Sequence, residues 1–129
     1  MKTKTNQLLV PTKDIGQYSY VSSNGNKLFF TSSTSTVSCC DMNGKEIWRF
    51  EGISLLRSPR GVVVHHQGFA FAAGEKSRNI VVISADGNSA KEVYQLSSPR
   101  AMCYDKSENE ILVCHTDRKA SWFQISLDI

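Results

Sequence analysis

The residues of this 129-residue chain with the strongest claim to chemistry are its three histidines and four cysteines. His65 and His66 are adjacent, His115 stands apart, and the thiols are Cys39, Cys40, Cys103 and Cys114. These types suit a zinc site, but no pair has the spacing of structural zinc ligands. Neighbouring residues on a strand point to opposite faces, so Cys39 and Cys40 do not converge on one ion. The thiols sit in apolar runs ("TVSCCDM", "AMCYD", "ILVCHT"), the setting of buried, reduced cysteines, and four free thiols are expected on denaturation. Serines are abundant, yet none occupies a Gly-x-Ser-x-Gly elbow. No glycine-rich phosphate loop and no paired carboxylates stand out. The chain is read as a non-enzyme with no catalytic residue, no metal and no cofactor.

Composition points the same way. Apolar residues make up 40%, charged residues 21%, and the net charge is +3. That is ordinary for a globular protein and far from the basic footprint of a dedicated nucleic-acid binder. The only apolar run near the N-terminus is Leu8-Leu9-Val10, too short for a secretory signal or a membrane span. The expectation is a single cytoplasmic domain over residues 1–129 that does not insert into membranes.

What positions the side chains is a repeat. "SPR" occurs at Ser58-Pro59-Arg60 and again at Ser98-Pro99-Arg100, each time before an apolar run. Gly61–His65 aligns with Ala101–Asp105 at an offset of 40. Phe69–Phe71 is laid on Ile111–Val113, and Ile80–Ser84 on Trp122–Ser126, at an offset of 42. Upstream, "KLFFTS" is laid on "GFAFAA", and "TVSCCDMNG" on "NIVVISADG" at an offset of 43. Each unit offers runs of 4–6 apolar residues bounded by Gly, Asn, Ser or Asp, which read as strands. The predicted strands are 18–22, 27–32, 36–42 and 46–50 in the first unit, and 61–65, 69–73, 79–84 and 91–96 in the second. The third has only three, 101–104, 110–115 and 121–127. A further strand-like segment, residues 6–11 ("NQLLVP"), stands where a closing strand would.

Four strands recurring at roughly 40–45 residues mark a β-propeller blade. The stretch "LLRSPRGVVVHHQGFAFAAGEKSRNIVVISADG" resembles an NHL repeat, and the chain from "CCDMNGKEIWRF" to "ASWFQIS" is similar to the C-terminal blades of invertebrate-type tripartite-motif-like NHL proteins. It departs from the usual form at "VHHQG" and "GEKSRN". The fold expected is all-β: blades at 18–50, 61–96 and 101–127. The alternative is a β-trefoil, which also has three units of about this size.

Three blades do not close a ring, since propellers have about 4–8. A homodimer making one six-bladed propeller is therefore expected, with residues 6–11 completing the partner's last blade. Loop geometry then sorts the charges. One face carries Arg57, Arg60, Lys76, Arg78, Arg100, Arg118 and Lys119 against Glu51, Glu75 and Asp117. The other carries Lys27, Lys45, Lys91 and Lys106 against Asp41, Asp86, Asp105, Glu108 and Glu110. The seven basic residues are the candidate ligand-binding site, with Arg60 and Arg100 on the rim of the central channel. Changing those two to Glu is expected to weaken anion binding and leave the fold intact. The NHL resemblance implies a recognition module for a protein or RNA partner; a glycan-binding lectin is the alternative.

Overall fold

The computed structural model describes residues 18–32 and 35–126. The proposed closing strand at residues 6–11 and the end of the strand proposed for 121–127 lie outside them. Eleven strands fall into three antiparallel sheets, with no helix among the described residues. The first sheet is β1 (Val21–Asn24), β2 (Lys27–Thr31), β3 (Thr36–Asp41) and β4 (Glu46–Glu51); the second is β5 (Pro59–Val64), β6 (Ala70–Gly74), β7 (Asn79–Ile83) and β8 (Ala90–Gln95); the third is β9 (Pro99–Asp105), β10 (Glu110–His115) and β11 (Ala120–Gln124). Each sheet is a simple up-and-down meander, and β5 lies beside both β1 and β9. Three separate meanders with adjacent first strands are propeller blades. A trefoil, whose hairpins close one barrel, does not fit. The predicted strand at 18–22 is displaced: β1 begins at Val21.

The chain makes these blades because its turns carry suitable residues at recurring places. In the first-to-second turns, Gly68 and Asn109 hold φ of +102° and +54°. In the second-to-third turns, Arg78 and Arg118 hold +57° and +70°. Ser58 and Ser98, each before a proline, hold +50° and +20°. The repeated "SPR" thus has a structural role. The Ser58 carbonyl accepts from the Glu75 N–H at 3.0 Å, and the Ser98 carbonyl from the Thr116 N–H at 3.1 Å. Each serine ties an incoming loop to its own blade's second turn.

These turns also correct the alignment. Gly68 and Asn109 are 41 apart, and Arg78 and Arg118 are 40 apart, so Phe71 takes the place of Leu112, and Val82 that of Trp122. In the first blade Phe29, not Phe30, takes the place of Phe71. A one-residue slip moves a side chain to the opposite face of its sheet, so the correction decides which residues face which blade.

Two apolar layers result. Phe29, Val37, Cys39 and Trp48 of the first blade pack on Val62, Val64, Ala72 and Ile83 of the second, with Leu56 of the connecting loop fully buried among them. The Trp48 indole N–H reaches across to the Ala85 carbonyl at 3.0 Å. On the second blade's other face, Val63, Phe71, Ala73 and Ile80 pack on Ile111, Val113 and Ile125, and Tyr94 stacks on Phe123 at 4.2 Å. None of the four cysteines is paired. Cys39 and Cys40 are buried on opposite faces of β3, as expected. Cys103 and Cys114 are exposed, which overturns the expectation that all four thiols are buried.

His65 plugs the opposite end of the second blade. It is 3% exposed and stacks on Phe69 at 4.2 Å. Its Nδ1 accepts the Gln67 N–H at 3.1 Å, so the proton sits on Nε2, 3.1 Å from Asn109 Oδ1. Burial holds the imidazole below its usual value of 6.5, outweighing the Asn109 hydrogen bond, which pulls upward. A depressed histidine leaves the folded state binding fewer protons than the unfolded chain. Stability should therefore be level above about pH 7. It should then fall as the pH drops through 6.5 and level off again once folded His65 itself protonates. Denaturant midpoints between pH 8 and 5 measure this, and in His65→Gln that slope should flatten.

Candidate recognition site

The basic loop face is built on the ends of β5 and β9 and on the two turns that follow β6 and β10. Its centre is a carboxylate between two arginines. Arg60 reaches Glu75 Oε1 through Nη2 at 3.2 Å and Nε at 3.4 Å, and Arg100 Nε stands 3.7 Å from Glu75 Oε2. Tyr18 lies over both guanidinium groups, its ring centroid 4.3 Å from the Arg60 and 5.3 Å from the Arg100 central carbon. Such cation–π contacts hold a guanidinium flat and in place. Arg60 and Arg100 thus come together across the junction of the second and third blades, as their equivalent places in the repeat predict.

They are not equivalent in burial. The Arg60 side chain is 10% exposed and that of Arg100 40%. Arg60 is a fixed strut inside the face, and only Arg100 is free to meet a ligand. This corrects the expectation that both could become Glu without harm. Arg60→Glu would set two carboxylates together in a desolvated place, and breaking such a pair costs about 3–5 kcal/mol. Glu75 Oε2 is itself buried, and its charge is met by the Arg100 guanidinium.

Around this centre Glu75, Lys76, Arg78, Ser98, Arg100 and Thr116 line an open cleft of about 490 Å³ between the second and third blades. Three cations and two hydroxyl side chains against one carboxylate give it a positive field. The remaining three predicted residues lie elsewhere on the face. Arg57 projects from the loop before β5, its N–H held by Ser77 Oγ at 3.0 Å. Arg118 and Lys119 form the turn between β10 and β11 and do not line the cleft.

The walls are rigid for local reasons. In the second blade Ser77 Oγ donates to Asn79 Oδ1 at 2.7 Å, and Asn79 Nδ2 donates to the Leu55 carbonyl at 2.8 Å. In the third blade His115, one residue before the turn, does similar work. Its Nδ1 donates to the Ser97 carbonyl, and Nε2 accepts from the Ser121 hydroxyl at 2.8 Å. Ser97 Oγ also donates to Asp117 Oδ2 at 3.0 Å, which helps hold that carboxyl below the usual range. A serine, a histidine and an acceptor stand in line here, and like the Ser77–Asn79 pair they tie the blade's second turn to the incoming loop. Among the described residues no group of three or more His, Cys, Asp or Glu could hold a metal ion, and no helix is long and apolar enough to cross a membrane.

Sequence reasoning found the arginines and missed Tyr18 and the pivotal role of Glu75. The sequence places Tyr18 inside the predicted strand at 18–22 and gives no sign that it meets the arginines.

No protein-family profile matches the chain, and no curated protein matches it. Solved structures do. A chain of the nidogen/laminin complex superposes with a TM-score of 0.67 at 18% identity, covering 81% of this chain and 43% of its own. Hydrazine synthase of Kuenenia stuttgartiensis superposes with a TM-score of 0.67 at 16% identity, covering 88% of this chain and 33% of its own. Both are β-propeller folds, so the likeness establishes the fold, and this chain spans less than half the length of either.

Proposed function

We propose that this chain is a non-catalytic recognition module that binds an acidic segment of a protein partner in the cleft between its second and third blades. The observation that carries the reading is the convergence of Lys76, Arg78 and Arg100 on one open cleft, with Arg60, Glu75 and Tyr18 fixing the floor. Preset positive charge steers acidic partners and suppresses basic ones. The nidogen/laminin complex, an assembly of two proteins, is a propeller-containing precedent for protein binding. The NHL-like repeat, a cytoplasmic setting and a homodimer belong to the same reading.

The test is a titration with an Asp/Glu-rich peptide, run beside single-stranded RNA and a sulfated glycan. The peptide should bind, and Arg78→Glu with Arg100→Glu should weaken it about tenfold or more, as two rim charges reverse. Arg78→Glu alone should leave the unfolding midpoint nearly unchanged, whereas Arg100→Glu should lower it, because Glu75 then faces a second carboxylate. Preference for RNA, with affinity falling steeply with salt, would replace the protein reading by a nucleic-acid one. Preference for the glycan would favour a lectin.

A further inference from the structure

The third blade has one face packed and one face bare. Met102, Tyr104, Ile111, Val113, Phe123 and Ile125 lie against the second blade. The opposite face carries Cys103, Leu112 and Trp122 in one cross-strand row, and Cys114 and Ala120 in the next. Trp122 is 64% exposed and Leu112 46%.

The repeat says what such a face is for. Its residues occupy the places of Val63, Phe71, Val82, Ala73 and Ile80, the second blade's side of the packed interface with the third. Four of those five are buried. Surface tryptophan and leucine set side by side across β10 and β11 form the kind of patch that marks an interaction site. Among the described residues the first blade's outer face is partly covered: Phe30 and Cys40, which point away from the second blade, are 8% and 2% exposed, while Val21 is 69% and Ile47 47% exposed.

Charge indicates the occupant. At one end of the sheet the turn from Asp105 to Glu110 carries Asp105, Glu108 and Glu110 against Lys106. At the other end the turn into β11 carries Arg118 and Lys119 against Asp117. A two-fold axis perpendicular to the strands would lay the acidic end of one copy over the basic end of another, with the apolar rows meeting between them. Such self-complementarity is what an isologous interface requires.

We infer that this face is the homodimer interface, blade three of one copy packed on blade three of a second, sheet on sheet. The inference rests on the homodimer part of the proposed function and names its surface. It leaves the basic cleft of each copy free on the outside of the pair.

Sedimentation of the whole chain should show a species of twice 14.4 kDa. Trp122→Glu should abolish it, shifting the dissociation constant at least a hundredfold, while Trp122→Phe should keep it. Circular dichroism establishes that both variants fold, and the exposed position leaves little reason for failure. Arg118→Glu with Lys119→Glu should weaken self-association, as should Glu108→Lys with Glu110→Lys. Mixing the two variants should restore a dimer, because each then meets its opposite. Maleimide labelling of Cys103 and Cys114 should be slow in the dimer and fast on dilution. A monomer at every concentration would overturn the homodimer itself. A dimer indifferent to Trp122→Glu, or one not rescued by mixing, would overturn only this surface and favour closure into a six-bladed ring.

Discussion

Gly61→Ala is expected to lower the unfolding free energy by about 1–3 kcal/mol, the usual range for overpacking a closed site. Gly61 lies on β5 where that strand passes β9. A Cβ there would stand 2.7 Å from the Arg100 carbonyl oxygen and 3.0 Å from the Met102 nitrogen. Both are backbone atoms, so no side chain can swing aside; the two blades must part. Arg60 and Arg100 flank this contact, and their shared grip on Glu75 should loosen with it. Urea unfolding measures the first effect, and loss of acidic-peptide affinity the second. A variant as stable as the parent would mean that the blades are less tightly registered than the structure shows. Gly61→Ser, with a similar Cβ, should behave alike, whereas Gly25→Ala meets nothing within 4 Å and should suffer only from its φ of +63°.

Leu56→Ala is expected to cost about 2–5 kcal/mol, the range for emptying a buried leucine site. The residue is 0% exposed although it sits on a connecting loop. It fills the gap between the first two blades in one cluster with Phe29 and Val81, and its Cδ1, with Ser77 and Asn79, would crowd a Cβ on Gly74. The effect should reach the site, because the same loop runs on into Arg57 and the Ser58-Pro59-Arg60 turn. Leu56→Met, close in volume, should cost under about 1.5 kcal/mol. If Leu56→Ala unfolded at the parent's midpoint, the loop would not be part of the core.

Much of this fold is legible before any coordinates, and the reason is repetition. A weak strand signal at one place becomes strong when it recurs about 40 residues on between similar turns. Register was not legible in the same way. In "EILVCH" both faces of β10 are apolar, so the alternation that would fix which residue points where is missing, and the turn from β9 to β10 is one residue longer than that from β5 to β6. Sequence similarity alone therefore lays Leu112 on Ala70, where the structure puts it in the place of Phe71. Exposure of Cys103 and Cys114 was hidden for a related reason: an apolar strand residue is buried only if something lies on its face. Arg60 and Arg100 could be found as the same place in two units. Tyr18 and Glu75 could not, because they approach the arginines from outside the matching positions and meet them only in the folded chain.

Within the described residues, the backbone hydrogen bonds close inside single blades and their adjoining loops, and blades meet through side chains such as Trp48, Tyr94 and the Thr31 hydroxyl, which donates to the Arg60 carbonyl at 2.8 Å. A molecule so divided behaves as a short linear array, in which each unit is steadied by its nearest neighbours. The middle blade is clamped on two sides and acts as the keystone. Among the described residues the third is clamped on one, and its last strand pairs only with β10. Amide exchange would then run as a gradient, fastest at β11 and slowest in β6 and β7, so that sub-global opening peels the array from its end. A partner seated on that end would slow exchange there without touching the keystone.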